Sequence, residues 1–256
     1  MSSEEGLKVI QNQAQAVKEY TGEQFCEWLW QEITNHTAQS SELGSLLAER
    51  SRQERFKKFL LQRYLAEQAF YGKQEGDPGF LGFVHANLSE SNDPLAEDAL
   101  FQVLERMNST DKHSFSKTGL SFEHHRNLWL NLFKALQMPD EEIRHAEPKE
   151  ACRSFIAEFA DVLSNSAWQA ALGALVSLEA ARCAENSALA GMIGLNLGVS
   201  ERDLEILRRS DKVFSMRLLE KVSFDLENKE LVWQGAVKQE EIRRNFLSGL
   251  DRYLKS

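Results

Sequence analysis

The sequence predicts an all-α protein, and three observations carry that prediction. Apolar residues recur at three- and four-residue spacing along nearly the whole chain, and β-branched runs of period two are absent. Only four prolines interrupt 256 residues, so long helices are allowed. Capping-box signatures open three of the periodic segments: Thr21-Gly-Glu-Gln24, Ser51-Arg-Gln-Glu54 and Ser200-Glu-Arg-Asp203.

In chain order, residues from about Glu4 to Tyr20 read as a polar, weakly amphipathic helix, peripheral to the rest. The helix opened at Thr21 carries Phe25, Trp28, Leu29 and Ile33 on one face and ends near His36. The helix opened at Ser51 carries Phe56, Phe59, Leu60, Tyr64 and Phe70, and Gly72 stops it after Tyr71. Gly76-Asp-Pro-Gly79 is a turn, followed by a short helix from Phe80 to Leu88. Ser91-Asn-Asp-Pro94 opens the next helix, with proline in its first turn, running to about Met107. Asn108 to Gly119 reads as a loop. From Ser121 the pattern is strongly helical, with Phe122, Trp129, Leu132, Phe133 and Leu136 on one stripe. Pro139 and Pro148 bracket a connector. A helix from about Lys149 to Leu163 precedes a long, mostly apolar element from Ala167 to Leu197. A helix begun at Ser200 carries Leu204, Leu207, Phe214 and Leu218, and the last runs from about Val237 to Leu254.

Composition narrows the function classes. With 42% hydrophobic residues the chain can bury a real core, and residues 1–256 read as one domain. Thirty-nine acidic against 30 basic residues give a net charge of −9. That balance, with no basic run, argues against nucleic-acid and anionic-membrane partners. No window approaches a membrane span, and the polar start Met1-Ser2-Ser3-Glu4-Glu5 is no secretory signal. The three cysteines, Cys26, Cys152 and Cys183, form no CxxC and suit a reducing, cytoplasmic compartment.

The informative residues are polar groups on apolar faces. Glu179 lies four after Leu175 and three after Val176, on the face that the long element buries. A buried carboxylate is costly unless it is paired, protonated or metal-bound. Three other helices repeat the feature. Glu67 lies three residues from both Tyr64 and Phe70; His125 lies between Phe122 and Trp129; Asp211 shares the stripe of Leu207 and Phe214. Carboxylates and imidazoles projecting inward from separate helices are how helical bundles hold iron or manganese. Each also has a plainer reading. Glu67 pairs with Arg63, His125 is a hydrogen-bonded core histidine, Glu179 bridges Arg182 or Arg208, and Asp211 pairs with a neighbour such as Lys212.

Weaker candidates stand beside these. Glu142-Ile-Arg-His145 has ExxH spacing inside the connector and reads as solvated. His124 points away from the stripe, and His36 suits either a haem ligand or a helix C-terminus. Cys183, one turn after Glu179, reads as a small core residue before it reads as a nucleophile. The sequence has no phosphate-cradling glycine loop, no GxGxxG and no Ser/His/Asp motif. Of five tryptophans most read as core, with Trp30 and Trp233 a candidate exposed pair for an interface.

Three stretches together resemble the haem-oxygenase-like superfamily, which includes the thiaminase-type TenA proteins, the quinone-forming PqqC and the CADD-like iron-containing oxidases and oxygenases. They are Phe59-Leu-Leu-Gln-Arg-Tyr64 running on to Ala69-Phe70, His125-Arg-Asn-Leu-Trp129 continuing to Phe133-Lys-Ala-Leu136, and Ala171-Leu-Gly-Ala-Leu-Val-Ser-Leu-Glu179. Their order covers about residues 35 to 255. The resemblance implies a haem-oxygenase-like helical bundle. In the iron-dependent members it implies three carboxylate and three histidine ligands, of which His125 and Glu179 match. Asp111 and Glu123 are both off the spacing of the carboxylate expected before the histidine. Near the C-terminus the family's His-x3-Asp and following His correspond to Leu207-Arg-Arg-Ser-Asp211-Lys-Val-Phe-Ser215-Met-Arg217. Asp211 matches the acid, but Leu207 or Ser210 and Ser215 or Arg217 replace the histidines, and no histidine follows His145.

Two function classes follow. One is an oxidase or oxygenase of a biosynthetic pathway, acting on a small molecule in the bundle cavity. Its site would be a reduced iron or manganese centre, or no metal at all, with Glu67, His125, Glu179 and Asp211 as the candidate ligands. His125 and Glu179 would be its catalytic groups. The other is a non-catalytic binding or partner protein of the same fold with a vestigial metal site. Either is compatible with a homodimer.

Overall fold

The computed structural model describes residues 19–40, 44, 53–71, 79–109, 122–208, 212–220 and 225–255. Most of these residues are helical and none of them is in a strand, as the sequence patterning predicts. The helices are α1 (Gly22–Ala38), α2 (Gln53–Tyr71), α3 (Gly79–Glu90), α4 (Pro94–Ser109), α5 (Phe122–Ala135), α6 (Asp140–Arg144), α7 (Glu150–Asn165), α8 (Trp168–Leu197), α9 (Glu205–Arg208), α10 (Lys212–Glu220) and α11 (Leu226–Lys255). No helix among them is long and apolar enough to cross a membrane. The polar N-terminal helix, the Ser51 capping box, the Gly76–Gly79 turn up to residue 78 and most of the Asn108–Gly119 loop lie outside the described residues.

Local chemistry sets the helix starts. The Thr21 backbone N–H donates to Gln24 Oε1 at 3.1 Å, closing the capping box of α1. Asp93 Oδ1 accepts the Leu95 N–H at 2.9 Å, with Pro94 at the first helical position of α4. Asp225 Oδ1 accepts the Asn228 N–H at 2.8 Å at the head of α11. At the other end of α8, Gly198 adopts φ 64°, the left-handed stop that glycine takes without a Cβ penalty.

The centre of the fold is α8. Every residue from Ala170 to Ala181 is buried, which fits a helix that is apolar around its whole circumference. α1, α3, α7, α9, α10 and α11 pack against it, and α11 lies closest. A Cβ on Gly173 would sit 1.9 Å from the Val232 carbonyl oxygen, and one on Gly235 would sit 1.8 Å from that of Ala170. The two backbones therefore touch where a side chain would not fit. One turn on, the Ser177 hydroxyl donates to Gln239 Oε1 at 2.8 Å. Helix α2 packs on α3, α7 and α11. Tyr64 of α2 joins α5 through ring contacts to Trp129 and Phe133 at 5.8 and 5.3 Å.

The structure corrects three local expectations. The last helix starts at Leu226, not near Val237. Gly235 lies two residues before the expected start, and glycine weakens a helix interior by about 1 kcal/mol. It sits inside α11 because the contact with α8 needs it. The segment opened at Ser200 is not one continuous described helix: turns at 201–204 lead into α9 and then α10, with residues 209–211, and so Asp211, outside the described set. Trp30 and Trp233 are both buried, and Trp233 packs on Trp28 at 5.0 Å, so they form no exposed interface pair.

Candidate functional site

Five helices bring a chain of buried charges together. Glu67 of α2 stands at one end. Its Oε1 accepts from Arg63 Nε, one turn earlier, at 3.2 Å. Its Oε2 accepts from the Trp129 indole at 3.0 Å and from Arg182 at 3.3 Å, and lies 3.4 Å from His125 Nε2. Arg182 also donates to Glu179 Oε1 at 2.8 Å and stands over the Phe70 ring at 5.4 Å. Arg63 reaches in the other direction, donating to Asn186 Oδ1 at 2.6 Å and to Glu185 of α8. Glu185 accepts in turn from Arg243 of α11 at 2.9 Å. Arg243 grips Glu240 with two bonds, at 3.0 and 2.9 Å. His36 of α1 closes the chain, its Nδ1 3.2 Å from Glu240 Oε2.

Three of the four candidate site residues fall in this network. Glu67, His125 and Glu179 are all buried and converge on Arg182 and Glu67, while Asp211 lies outside the described residues. The plainer pairings are present too: Glu67 with Arg63, and Glu179 with Arg182. Arg208 pairs with Glu201 instead. His145 is exposed, with Glu142 on the short helix before it, and Cys183 is half-buried.

Glu185, Glu240 and Arg243 were not anticipated as members of the site. Arg243 lies four before Leu247, and Glu240 lies four after Ala236 and seven before Leu247, so both are on the apolar stripe of α11. That is the signal that singled out Glu179. Both lie inside the helix expected from about Val237 to Leu254, where the neighbouring charges Lys238, Glu241 and Arg244 make an inward pair inconspicuous.

Electrostatics hold the carboxylates ionised. Burial alone would raise the Glu67 carboxyl. Arg182, the His125 contact and Arg63 outweigh burial and hold it far below the usual carboxylate range. Burial opposes ionisation of Glu240 as well, but Arg243 and His36 hold it down to about 2. Arg243 loses by burial and gains more from Glu240 and Glu185, so it keeps its proton more firmly than an ordinary guanidinium. Among the described residues, four carboxylates meet three guanidiniums in the chain.

A pH prediction follows. Both carboxyls have folded pKa values depressed below 4.5, so their stabilisation is present above that pH and is lost as pH falls toward the folded values. Urea unfolding at pH 7, 5, 4 and 3 should show little change down to pH 5. Below pH 4.5 the two carboxyls should together remove about 2.7 kcal/mol of stability per pH unit.

Among the described residues the candidate acids are already paired with arginine. Arg182 stands between Glu67 and Glu179 as the resident cation, bonded to both carboxylates that a metal would need. Among the described residues no group of three or more His, Cys, Asp and Glu side chains is disposed around a common ion site.

Beside the network is a cavity of about 40 Å³, room for a few water molecules. One wall is charged: Arg63, Glu67, Arg182, Glu185 and Arg243. The facing wall carries Phe70, Phe80, Phe155 and Phe246. No family model matches the chain, and no curated protein matches it closely enough to lend it a function.

Proposed function

We propose that this chain is a haem-oxygenase-like binding protein for a small amphipathic molecule, its ancestral metal site vestigial and closed by arginines. The observation that carries the reading is Arg182. Its guanidinium joins Glu67 and Glu179, two of the candidate metal ligands, and holds them with bonds of 3.3 and 2.8 Å. Charge compensation that a family relative would obtain from an ion is here supplied by the chain, with no dependence on metal supply. The cavity beside it joins charged and aromatic walls but holds only a few waters, so a ligand with an apolar body and one polar head would extend from it into the groove of about 540 Å³ that shares Phe155 and Phe246.

The test is metal loading. The protein is purified anaerobically with iron(II), manganese(II) or zinc(II), then subjected to elemental analysis and thermal unfolding. The expected result is substoichiometric metal and an unchanged midpoint. One equivalent of metal, lost in Glu179→Ala, would sink the vestigial reading.

A second reading, a cofactor-independent oxidase, is favoured by one observation. His125 Nε2 lies 3.4 Å from a carboxylate kept ionised, the arrangement that orients an imidazole as a general base. Under that reading His125→Gln abolishes dioxygen consumption with a substrate while leaving the ligand affinity intact. Under the binding reading no dioxygen is consumed by either protein.

A further inference from the structure

The interior guanidiniums Arg63, Arg182 and Arg243 all have carboxylate partners. A second set of cations lies on another face. There α2, α5 and α6 enclose a groove of about 550 Å³, within the size range of small-molecule sites. From α5 it takes Arg126, Leu130 and Lys134, which follow one another at four-residue spacing along one face. His125, Trp129 and Phe133 leave α5 on the other side and are buried, so the groove is separate from the charge network.

The charged groups that line the groove are Arg126, Lys134 and Arg144 against Asp140 alone. Arg144 and Asp140 lie 3.7 Å apart and are 71% and 79% exposed, so they hold each other only weakly. Among the described residues the Arg126 and Lys134 side chains have no hydrogen-bond or ion-pair partner. In a chain of net charge −9 this is a local excess of positive charge open to solution.

Tyr64 of α2 adds the second observation. It is only 3% exposed, its ring held by Trp129 and Phe133. Its hydroxyl has no hydrogen-bond partner among the described residues, and a buried phenol ordinarily finds one. The groove that Tyr64 lines is the side from which a partner can come. Gln68 and Asn131 line the same space, their amides likewise without a partner.

We propose that the groove between α2, α5 and α6 binds a small phosphorylated sugar or polyol. Arg126, Lys134 and Arg144 hold the phosphate group, for which guanidinium and ammonium donors are suited. The two amides and the Tyr64 phenol, which both donate and accept, meet the hydroxyls. Leu65, Leu130 and Ile143 pack on the C–H face of the ligand. A long polyanion such as a nucleic acid is disfavoured, because beyond the groove the chain is acidic. The inference is independent of what the interior cavity binds.

The test is calorimetric titration of the full chain at low ionic strength with glycerol 3-phosphate, ribose 5-phosphate and glucose 6-phosphate. At least one should bind saturably at one site per chain, less tightly as salt is added. Arg126→Gln and Lys134→Gln should each weaken binding roughly tenfold. Both residues are exposed, so the fold tolerates the change. Tyr64→Phe keeps the ring contacts. It should weaken the ester roughly fivefold and leave the affinity for inorganic phosphate unchanged, which separates hydroxyl recognition from attraction to any anion. Lys238→Gln, an exposed position on α11 paired with Glu241, is the charge control and should leave the affinity unchanged. The proposal is overturned by no binding of any of the three esters, by inorganic phosphate binding as tightly as they do, or by an equal loss in Lys238→Gln. Tighter binding of a hexaglutamate peptide also overturns it and makes the groove a contact for an acidic protein segment.

Discussion

Arg243→Met should cost the fold about 3–5 kcal/mol, the range for removing one partner from a buried ion pair. Arg243 is 4% exposed and bonds both Glu185 and Glu240, so the substitution strips a cation from two buried carboxylates at once. Urea unfolding at pH 7 measures the loss. A second signature separates lost charge from lost packing. Burial alone raises the Glu240 carboxyl, and without Arg243 that effect is no longer outweighed by the guanidinium. A carboxyl whose folded pKa is raised contributes more stability at low pH than at neutral pH. The gap between wild type and variant should therefore narrow as pH falls below about 4.5. Adding Glu185→Gln and Glu240→Gln to Arg243→Met should recover most of the loss, because no unpaired charge then remains inside. A single variant within about 1 kcal/mol of wild type at pH 7 would mean that the network is hydrated and energetically slack.

The second large effect is at the crossing of α8 and α11. Gly173→Ala or Gly235→Ala places a methyl group within 2 Å of a backbone carbonyl oxygen on the opposite helix. Neither contact can be relieved by turning a side chain, so the helices must separate. Overpacking costs about 1–3 kcal/mol and more where backbone must move; here about 3 kcal/mol or above is expected, a midpoint shift of roughly 10 °C for a chain of this size. Gly191→Ala is the control. A Cβ there meets nothing within 4 Å, and the helix-propensity gain should stabilise the protein by about 0.5–1 kcal/mol. If Gly173→Ala were as well tolerated as Gly191→Ala, the close crossing would be wrong.

Much of the site was legible residue by residue. Glu67, His125 and Glu179 stood out because each broke an apolar stripe, and each is buried in the network. The local partners were legible as well, since Arg63 and Glu67 are one turn apart and so are Glu179 and Arg182. The long-range partners were not. Arg63 with Glu185 and Arg243 with Glu185 join helices far apart in the chain, and nothing in a single helix's periodicity says which faces will meet. Glu240 and Arg243 had the same signature as Glu179, but they stand among Lys238, Glu241 and Arg244 in a highly charged stretch, where two inward charges do not stand out as one does in an apolar helix.

By itself the sequence determined that the chain is helical, where most helices begin and that Glu67, His125 and Glu179 turn inward, because these depend on spacing, capping residues and the burial of apolar stripes within a few turns. Only the tertiary structure decided what the inward acids meet. A buried carboxylate demands a counter-charge, and an ion or a guanidinium satisfies that demand equally well on paper. Which one is present depends on whether an arginine from the same or another helix reaches the site. Here Arg182 lies between Glu67 and Glu179, and Arg63 and Arg243 extend the pairing through Glu185 to Glu240.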